Sequence, residues 1–112
     1  MGNLLKEMGT RIYNRRKGLG FTQEELAERA GLTPQNVSTA ELGKKALRPE
    51  NIIKICGALG VSTDYLLLGV VAPGDYRTLS EKISRLSPEQ FRCLEGMIDL
   101  YIRALSGNGS EE

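Results

Sequence analysis

The feature that most constrains the fold is a pair of short helices separated by a few residues around Gly31. The first should begin at Thr22, because the run Thr22-Gln23-Glu24-Glu25 has the spacing of a capping box. The second should begin at Thr33, a good N-cap that is followed by Pro34 at the first helical position, where its missing N–H costs nothing. So short a connection predicts that the two helices cross at a steep angle.

The second of these helices, over residues 33–42, is unusually polar. Its apolar residues are only Val37, Ala40 and Leu42, too few for an ordinary buried stripe. At about 100° per residue, one side of the helix collects Thr33, Val37, Ala40 and Glu41, and the other collects Gln35, Ser38, Thr39 and Leu42. The narrow inward side suffices if the helix rests on its neighbour, which leaves short polar side chains facing outward. This is the layout of a helix-turn-helix, whose second helix enters the major groove of DNA.

The rest of the chain also indicates helices. Apolar residues recur at three- and four-residue steps, and no clear alternating strand is present, so an all-α fold is predicted. A helix is expected over about residues 3–17, one from near Pro49 to Gly60, and a short one from after Ser62 to Gly69. Together with the central pair they form a predicted five-helix globule.

Composition and charge narrow the function. The chain has no histidine, and its cysteines, Cys56 and Cys93, are far apart, so we expect reduced thiols, no metal site, no cofactor and no enzyme activity. No apolar run approaches the roughly 20 residues of a membrane span, and the N-terminus lacks the apolar core of a signal peptide, which predicts a cytoplasmic protein without a membrane partner. Residues 1–69 carry a net charge of +3 and residues 70–112 a net charge of −2, so an anionic partner is expected for the first part.

The segment FTQEELAERAGLTPQNVSTAELGKK resembles the core of the Cro and lambda-repressor-like helix-turn-helix family, also called the xenobiotic-response-element family. The resemblance extends from about Met8 to Gly69 and includes Arg16, Arg48-Pro49 and the stretch ALGVSTDYLLLG. It implies a five-helix lambda-repressor-like domain in a sequence-specific regulator of transcription that binds a double-stranded DNA operator. A dimeric repressor of prophage or mobile-element type, acting on an inverted repeat, is the expected form. Such a protein would associate with the nucleoid through its DNA.

The resemblance also implies roles for particular residues. The expected base contacts come from Gln35, Asn36, Ser38 and Thr39, and the expected phosphate contacts come from Gln23, Lys44, Lys45 and Arg48. Arg16 and Glu41 match a buried ion pair with a structural role. Two residues depart from common family patterns: Pro34 stands where several phage repressors have a base-reading glutamine, and Leu42 replaces a residue that is often polar. These departures leave the operator sequence open.

The C-terminal part is predicted to be a helical dimerisation element. The last long helix carries a heptad-like apolar stripe that consists of Phe91, Leu94, Ile98, Tyr101, Ile102 and Leu105. Cys93 and Leu100 lie on nearly the opposite side, and Gly96 would permit a close approach of a neighbour. The stripe pairs with a second copy in a homodimer or packs within its own chain, and the sequence leaves both open. It also leaves open an antitoxin or adaptor whose C-terminal helices bind a protein such as a toxin or an antirepressor.

The predicted organisation of the chain follows from these elements. It comprises a helix-turn-helix DNA-binding domain over residues 1–69, a linker over 70–77, a C-terminal helical oligomerisation region over 78–106 and a disordered tail over 107–112.

Overall fold

The computed structural model describes residues 2–110 and contains seven α-helices there. They are α1 (Gly2–Leu19), α2 (Gln23–Ala30), α3 (Pro34–Glu41), α4 (Pro49–Leu59), α5 (Thr63–Leu68), α6 (Pro73–Ile83) and α7 (Pro88–Ser110). No strand occurs within residues 2–110, so the prediction of an all-α fold is confirmed. None of the helices over this range is long and apolar enough to cross a membrane. The chain divides into two compact units, the first ending at Thr78 and the second beginning at Leu79.

The central helices begin and end at the residues that the sequence indicates. At the start of α2, the Thr22 hydroxyl accepts a hydrogen bond from the Glu25 amide at 3.0 Å, and the Glu25 carboxylate accepts one from the Thr22 amide at 2.8 Å. This is the predicted capping box. The helix ends at Gly31, whose φ of 72° lies in the left-handed region that only glycine adopts readily. Because these signals are local, they define the turn between α2 and α3 without help from the rest of the fold.

The hydrophobic core of the first unit consists of residues from α1 to α5, at the apolar positions that the helical periodicity selects. Its buried members are Met8, Ile12, Leu26, Ala27, Ala30, Val37, Ala40, Ile55, Cys56, Leu59 and Leu66. Complete burial of one large aliphatic side chain contributes about 1.5–3 kcal/mol. Burial also raises the pKa of the Cys56 thiol to about 11, whereas Cys93 is exposed.

Two arginines of α1 tie the ends of later helices to the core. Arg11 donates to the Leu66 carbonyl at 3.0 Å, and Arg15 donates to the Leu59 carbonyl at 2.9 Å. These carbonyls lie in the last turns of α5 and α4, where no helical N–H remains to bond them. A guanidinium at this place satisfies the carbonyl and complements the negative end of the helix. Helix α1 therefore supports both α4 and α5.

The start of α6 differs from the prediction. Helix α6 begins at Pro73, inside the residues 70–77 that were predicted to be a linker, and not at Thr78. The reason is the carboxylate of Asp75, which accepts hydrogen bonds from the Ala72 amide, the Ser62 amide and the Ser62 hydroxyl. These contacts organise the first turn of the helix on the N-terminus of α5, and a local capping box at Thr78 cannot reveal them.

The end of α7 also differs from the prediction. Helix α7 begins as expected, with the Ser87 hydroxyl accepting a hydrogen bond from the Gln90 amide at 3.1 Å. It continues to Ser110, so residues 107–110 are helical and not part of the predicted disordered tail. Glycine disfavours a helix interior by about 1 kcal/mol, but it keeps its N–H and therefore does not end a helix as proline does. Residues 111–112 of the predicted tail lie outside the described residues.

Candidate nucleic-acid interface

Helix α3 packs against the other helices of the first unit along one side only. Its apolar residues Val37 and Ala40 are fully buried, while Gln35 and Leu42 are exposed. Helix α1 crosses this buried side so closely that a Cβ on Gly9 would lie 2.5 Å from the carbonyl oxygens of both Ala40 and Glu41. Only a glycine fits this contact between two backbones. Helix α3 thus needs few apolar residues, because its neighbours cover the whole of its narrow inward face.

A buried ion pair holds the C-terminal end of α3. Arg16 Nε lies 2.6 Å from Glu41 Oε2, and Arg16 Nη2 lies 3.0 Å from Glu41 Oε1. The two side chains are 8% and 5% exposed. The hydrogen bond to Glu41 raises the pKa of Arg16, and Arg16 Nη1 also donates to the Phe21 carbonyl at 2.8 Å. The structure therefore brings Arg16 and Glu41 together, as the family resemblance implies, and joins α1 to α3 through them.

Gln23, the predicted phosphate contact in α2, belongs to the same network. Its amide nitrogen donates to Glu41 Oε1 at 3.0 Å, so one side-chain N–H is committed within the protein. The second N–H and the free backbone amides of the first turn of α2 remain available to an anion. Glu41 thus orients Gln23 while it anchors α3.

The outward side of α3 carries three of the predicted base contacts. Gln35 is exposed, and Ser38 and Thr39 are half-buried. Gln35 Nε2 makes a long contact of 3.4 Å with the Thr39 hydroxyl, which leaves its carbonyl oxygen and one N–H unused. An amide with both groups available can form two hydrogen bonds with an adenine.

Asn36, the fourth predicted base contact, is engaged in a helix cap. Its Oδ1 accepts hydrogen bonds from the Thr33 backbone amide at 3.3 Å and from the Thr33 hydroxyl at 2.8 Å. The backbone amide of Asn36 donates to the same hydroxyl at 3.1 Å. While this capping box is closed, the side chain of Asn36 has only its NH₂ group to offer a ligand. Among the four predicted base contacts, only Gln35 then keeps both the carbonyl oxygen and an N–H that two-bond pairing with adenine needs.

A cleft of about 310 Å³ separates α3 from the segment that follows it. Its lining includes Gln35 and Thr39 from α3, Lys45 and Arg48 from the loop, and Asn51 from the first turn of α4. Lys45 and Arg48 are exposed, as phosphate contacts must be. Asn51 is a polar residue that the sequence interpretation missed. Its position in the first turn of α4, directly after the Arg48 N-cap, is the sequence feature that could have indicated that it lies beside the predicted phosphate contacts.

The remaining predicted phosphate contact, Lys44, is exposed just beyond α3. The nearest carboxylate to Arg48 is that of Glu50, at 3.8 Å, and both side chains are largely exposed. Such a pair is weak in water, so Arg48 can exchange this partner for a phosphate. Of the predicted DNA contacts, the cleft beside α3 brings together Gln35, Asn36, Thr39, Lys45 and Arg48.

Comparison with known proteins points to one family. A family model described as Helix-turn-helix matches residues 12–66. The chain is 36% identical over 67 residues to the SPbeta prophage-derived uncharacterized HTH-type transcriptional regulator YonR of Bacillus subtilis (strain 168), a match that covers 60% of this chain and 62% of the relative. This chain therefore spans less than two thirds of that relative.

Two further comparisons cover most of the proteins that they match. An uncharacterized HTH-type transcriptional regulator of Methanothermobacter thermautotrophicus is 47% identical over 55 residues, which is 47% of this chain and 77% of the relative. The structure of the P22 c2 repressor protein in complex with synthetic operator 9T superposes with a TM-score of 0.55 at 36% identity and covers 56% of this chain and 96% of that one. These matches confirm the predicted lambda-repressor-like fold and the family resemblance.

Proposed function

The chain belongs to the helix-turn-helix family of DNA-binding transcriptional regulators, and on that premise we propose that it is a dimeric repressor that binds an inverted-repeat operator. The relatives include a prophage-derived regulator and a phage repressor, which supports an origin in a prophage or another mobile element. Bound to its operator, the protein would exclude RNA polymerase from the promoter. Residues 1–69 are the proposed DNA-binding domain.

The observation that carries this proposal is the division of α3 into a buried side and a polar side. Val37 and Ala40 are 0% and 1% exposed, whereas Gln35 projects from a helix that the Arg16–Glu41 pair holds in place. A rigid helix with free polar groups is suited to a groove, because the geometry of its hydrogen bonds is set before DNA arrives.

The proposed readout follows from the groups that α3 exposes. Gln35 can accept from the N6 amino group of adenine and donate to its N7, and such a pair discriminates by about 1–3 kcal/mol. The Thr39 methyl can contact the methyl group of thymine, and the Ser38 hydroxyl can bond either partner of a base pair. Asn36 contributes through its NH₂ group. Gln23, Lys44, Lys45 and Arg48 would fix the register on the phosphates.

Selection of bound duplexes from a random DNA pool tests the proposal. We expect an inverted repeat whose half-sites lie about one helical turn apart. A second selection with Gln35→Ala should lose the base preference at one symmetric pair of positions, because the two-bond contact is gone. Asn14→Ala, which alters an exposed amide on α1, is the matched control and should select the wild-type sequence. Enrichment of no sequence, or of a single asymmetric site by a monomer, would contradict the proposal.

The C-terminal helix supports the dimeric form. Phe91 and Leu94 are half-buried in the second unit, but Ile98, Tyr101 and Leu105 further along the same stripe are 45%, 66% and 58% exposed. Ile102 extends this surface and is exposed too. A continuous apolar surface on a small protein marks an association site. We infer that a second copy of this chain covers the apolar surface of α7, because a twofold dimer can bind both halves of an inverted repeat.

Sedimentation equilibrium of wild type and Leu105→Glu tests the dimer. We expect the wild type to be a dimer and Leu105→Glu to be largely monomeric, with operator affinity reduced by roughly 10²–10⁴-fold, the range by which linked sites exceed single ones. Ile53→Glu places the same charge on an exposed apolar residue of α4 and should stay dimeric. A monomeric wild type would contradict the proposal that the protein is a dimer. If a stable complex with another protein forms through this stripe, the antitoxin or adaptor alternative replaces it.

A further inference from the structure

Two polar side chains on the outward side of α3 are joined by a hydrogen bond. Gln35 Nε2 donates to the Thr39 hydroxyl oxygen at 3.4 Å. The two residues are four positions apart in one helix, so their side chains lie next to each other on its surface. An amide NH₂ group has two N–H donors. One N–H of Gln35 is therefore directed at Thr39, and the other remains with the carbonyl oxygen for a ligand.

The surroundings of Gln35 favour this orientation of its amide. Gln35 and Thr39 line the same cleft as Lys45 and Arg48. Lysine and arginine side chains are positively charged and have donors only. Their charge attracts the carbonyl oxygen of Gln35 and repels its NH₂ group, which leaves the NH₂ group to Thr39. A hydroxyl can accept a hydrogen bond while its own proton points elsewhere, so Thr39 is suited to this role.

The committed N–H matters because the two purines present different groups in the major groove. Adenine presents one donor at N6 and one acceptor at N7, whereas guanine presents two acceptors, O6 and N7. An amide that offers its carbonyl oxygen and one N–H matches adenine. An amide that is free to offer both N–H groups can instead match guanine. The partner of the second N–H therefore affects which purine Gln35 selects.

We propose that Thr39 is a specificity-determining residue whose hydroxyl holds one N–H of Gln35 and thereby makes Gln35 select adenine over guanine. This inference rests on the proposed function, in which α3 reads base edges. The hydroxyl of Thr39 acts through Gln35, and this role is separate from the proposed contact between the Thr39 methyl group and thymine. Both residues belong to one regular helix, so the contact requires no movement of the domain.

The affinity ratio between two operators tests this role. The first operator is the inverted repeat found by the selection, and in the second the A·T pair that Gln35→Ala identifies is replaced by G·C in one half-site. Thr39→Val removes the hydroxyl and keeps a methyl group, whereas Thr39→Ser keeps the hydroxyl and removes the methyl group. Ser38→Ala, which removes a hydroxyl from the same side of α3, is the matched control. A general loss of affinity cancels in the ratio.

The expected result is a change in the ratio only where the Thr39 hydroxyl is lost. Wild type, Thr39→Ser and Ser38→Ala should prefer adenine over guanine by about 5–150-fold. Thr39→Val should reduce this preference by about 2–10-fold, the contribution of one hydrogen bond. Thr39→Ala should reduce it equally, which separates the loss of the hydroxyl from the bulk of valine. In the free protein, the NMR signals of the Gln35 NH₂ group should shift more in Thr39→Val than in Thr39→Ser.

Three results would contradict the role of Thr39. Equal ratios for Thr39→Val and Thr39→Ser would show that the hydroxyl does not control the choice of purine. An equal loss in Ser38→Ala would show that the effect is not specific to the partner of Gln35. A base other than adenine at the position that Gln35→Ala identifies would exclude this readout, and guanine there would mean that the amide is turned over. Failure of wild type to enrich any inverted repeat would instead refute the proposed function itself.

Discussion

At the residue scale, Glu41 links α3 to both α1 and α2. It accepts two hydrogen bonds from Arg16 and one from Gln23 and lies in the last turn of α3. Glu41→Ala would leave the Arg16 guanidinium buried without a counter-charge. We expect the free energy of unfolding to fall by about 3–5 kcal/mol, as when one partner of a buried pair is removed. Urea denaturation at neutral pH measures this change.

Glu50→Ala is the control for this variant, because Glu50 forms an exposed ion pair with Arg48 at 3.8 Å. Its effect should lie within about 0.5 kcal/mol. Equal effects of the two substitutions would mean that the buried pair contributes no more than a surface contact.

Gly9 provides a second residue-scale prediction. A Cβ at this position would lie 2.5 Å from two carbonyl oxygens of α3, and a backbone cannot move aside as a flexible side chain can. Gly9→Ala should therefore destabilise the protein by about 1–3 kcal/mol and weaken operator binding, because α3 must shift. Gly57→Ala is the matched control: apart from the neighbouring backbone of its own helix, no atom lies within 4 Å of its added Cβ, and an alanine in α4 should stabilise by about 0.5–1 kcal/mol. Thermal unfolding and DNA binding of both variants measure the difference, and similar behaviour would contradict the close crossing.

The residues of the candidate site were predictable to different degrees. The 3.6-residue period was enough to place Gln35, Ser38 and Thr39 on the outward side of α3, and their role as base contacts stays a prediction. The period was not enough for Asn36, whose carbonyl oxygen is bonded to Thr33. A residue three positions after an N-cap can either close a capping box or contact a ligand, and sequence spacing alone does not distinguish these states.

At the element scale, local signals predicted the first five helices and failed at the next boundary. These signals are the threonine N-caps, Pro34 and the glycines that end α2, α4 and α5. Each acts on backbone groups within a few residues, so it can be recognised in the sequence. The start of α6 depends on a contact between Asp75 and Ser62, which are 13 residues apart. Such a pair is visible only when the fold brings the two residues together.

The same contact predicts a pH dependence of stability. Hydrogen bonds from the Ala72 amide and from Ser62, with the positive charge of Arg15, hold the pKa of Asp75 below its ordinary value of 3.8. The stabilisation is therefore complete above that value and is lost as the pH falls through the lower pKa of the folded state. Wild type should be more stable than Asp75→Asn at neutral pH, and the difference should shrink on acidification below the ordinary pKa. Urea denaturation of both proteins across this range, with an NMR titration of the carboxyl group, measures the effect. A stability difference that does not change with pH would contradict it.

At the scale of the whole molecule, charge is concentrated where the DNA backbone is expected. The first 69 residues carry a net charge of +3, and Lys44 and Lys45 are exposed directly after α3. If Lys44 neutralises a phosphate, Lys44→Ala should reduce the slope of log affinity against log salt concentration by roughly 0.9 per contact and about 1.8 per dimer. Base preference should not change, because a phosphate contact carries no sequence information.

Lys82→Ala is the control for this measurement, since Lys82 lies in the last turn of α6 and is no predicted phosphate contact. Its salt slope should equal that of the wild type. An unchanged slope for Lys44→Ala would remove this residue from the interface.

The two sides of α3 share no side chain between them. The side chains that anchor the helix, those of Val37, Ala40 and Glu41, are buried against the other helices of the first unit. Gln35 is exposed, and its side chain makes only a long hydrogen bond to Thr39. Exchange of Gln35 for another polar residue therefore carries almost no folding penalty, whereas exchange of Asn36 would open the capping box with Thr33. A single substitution at position 35 can therefore change the proposed base preference in a molecule that stays folded.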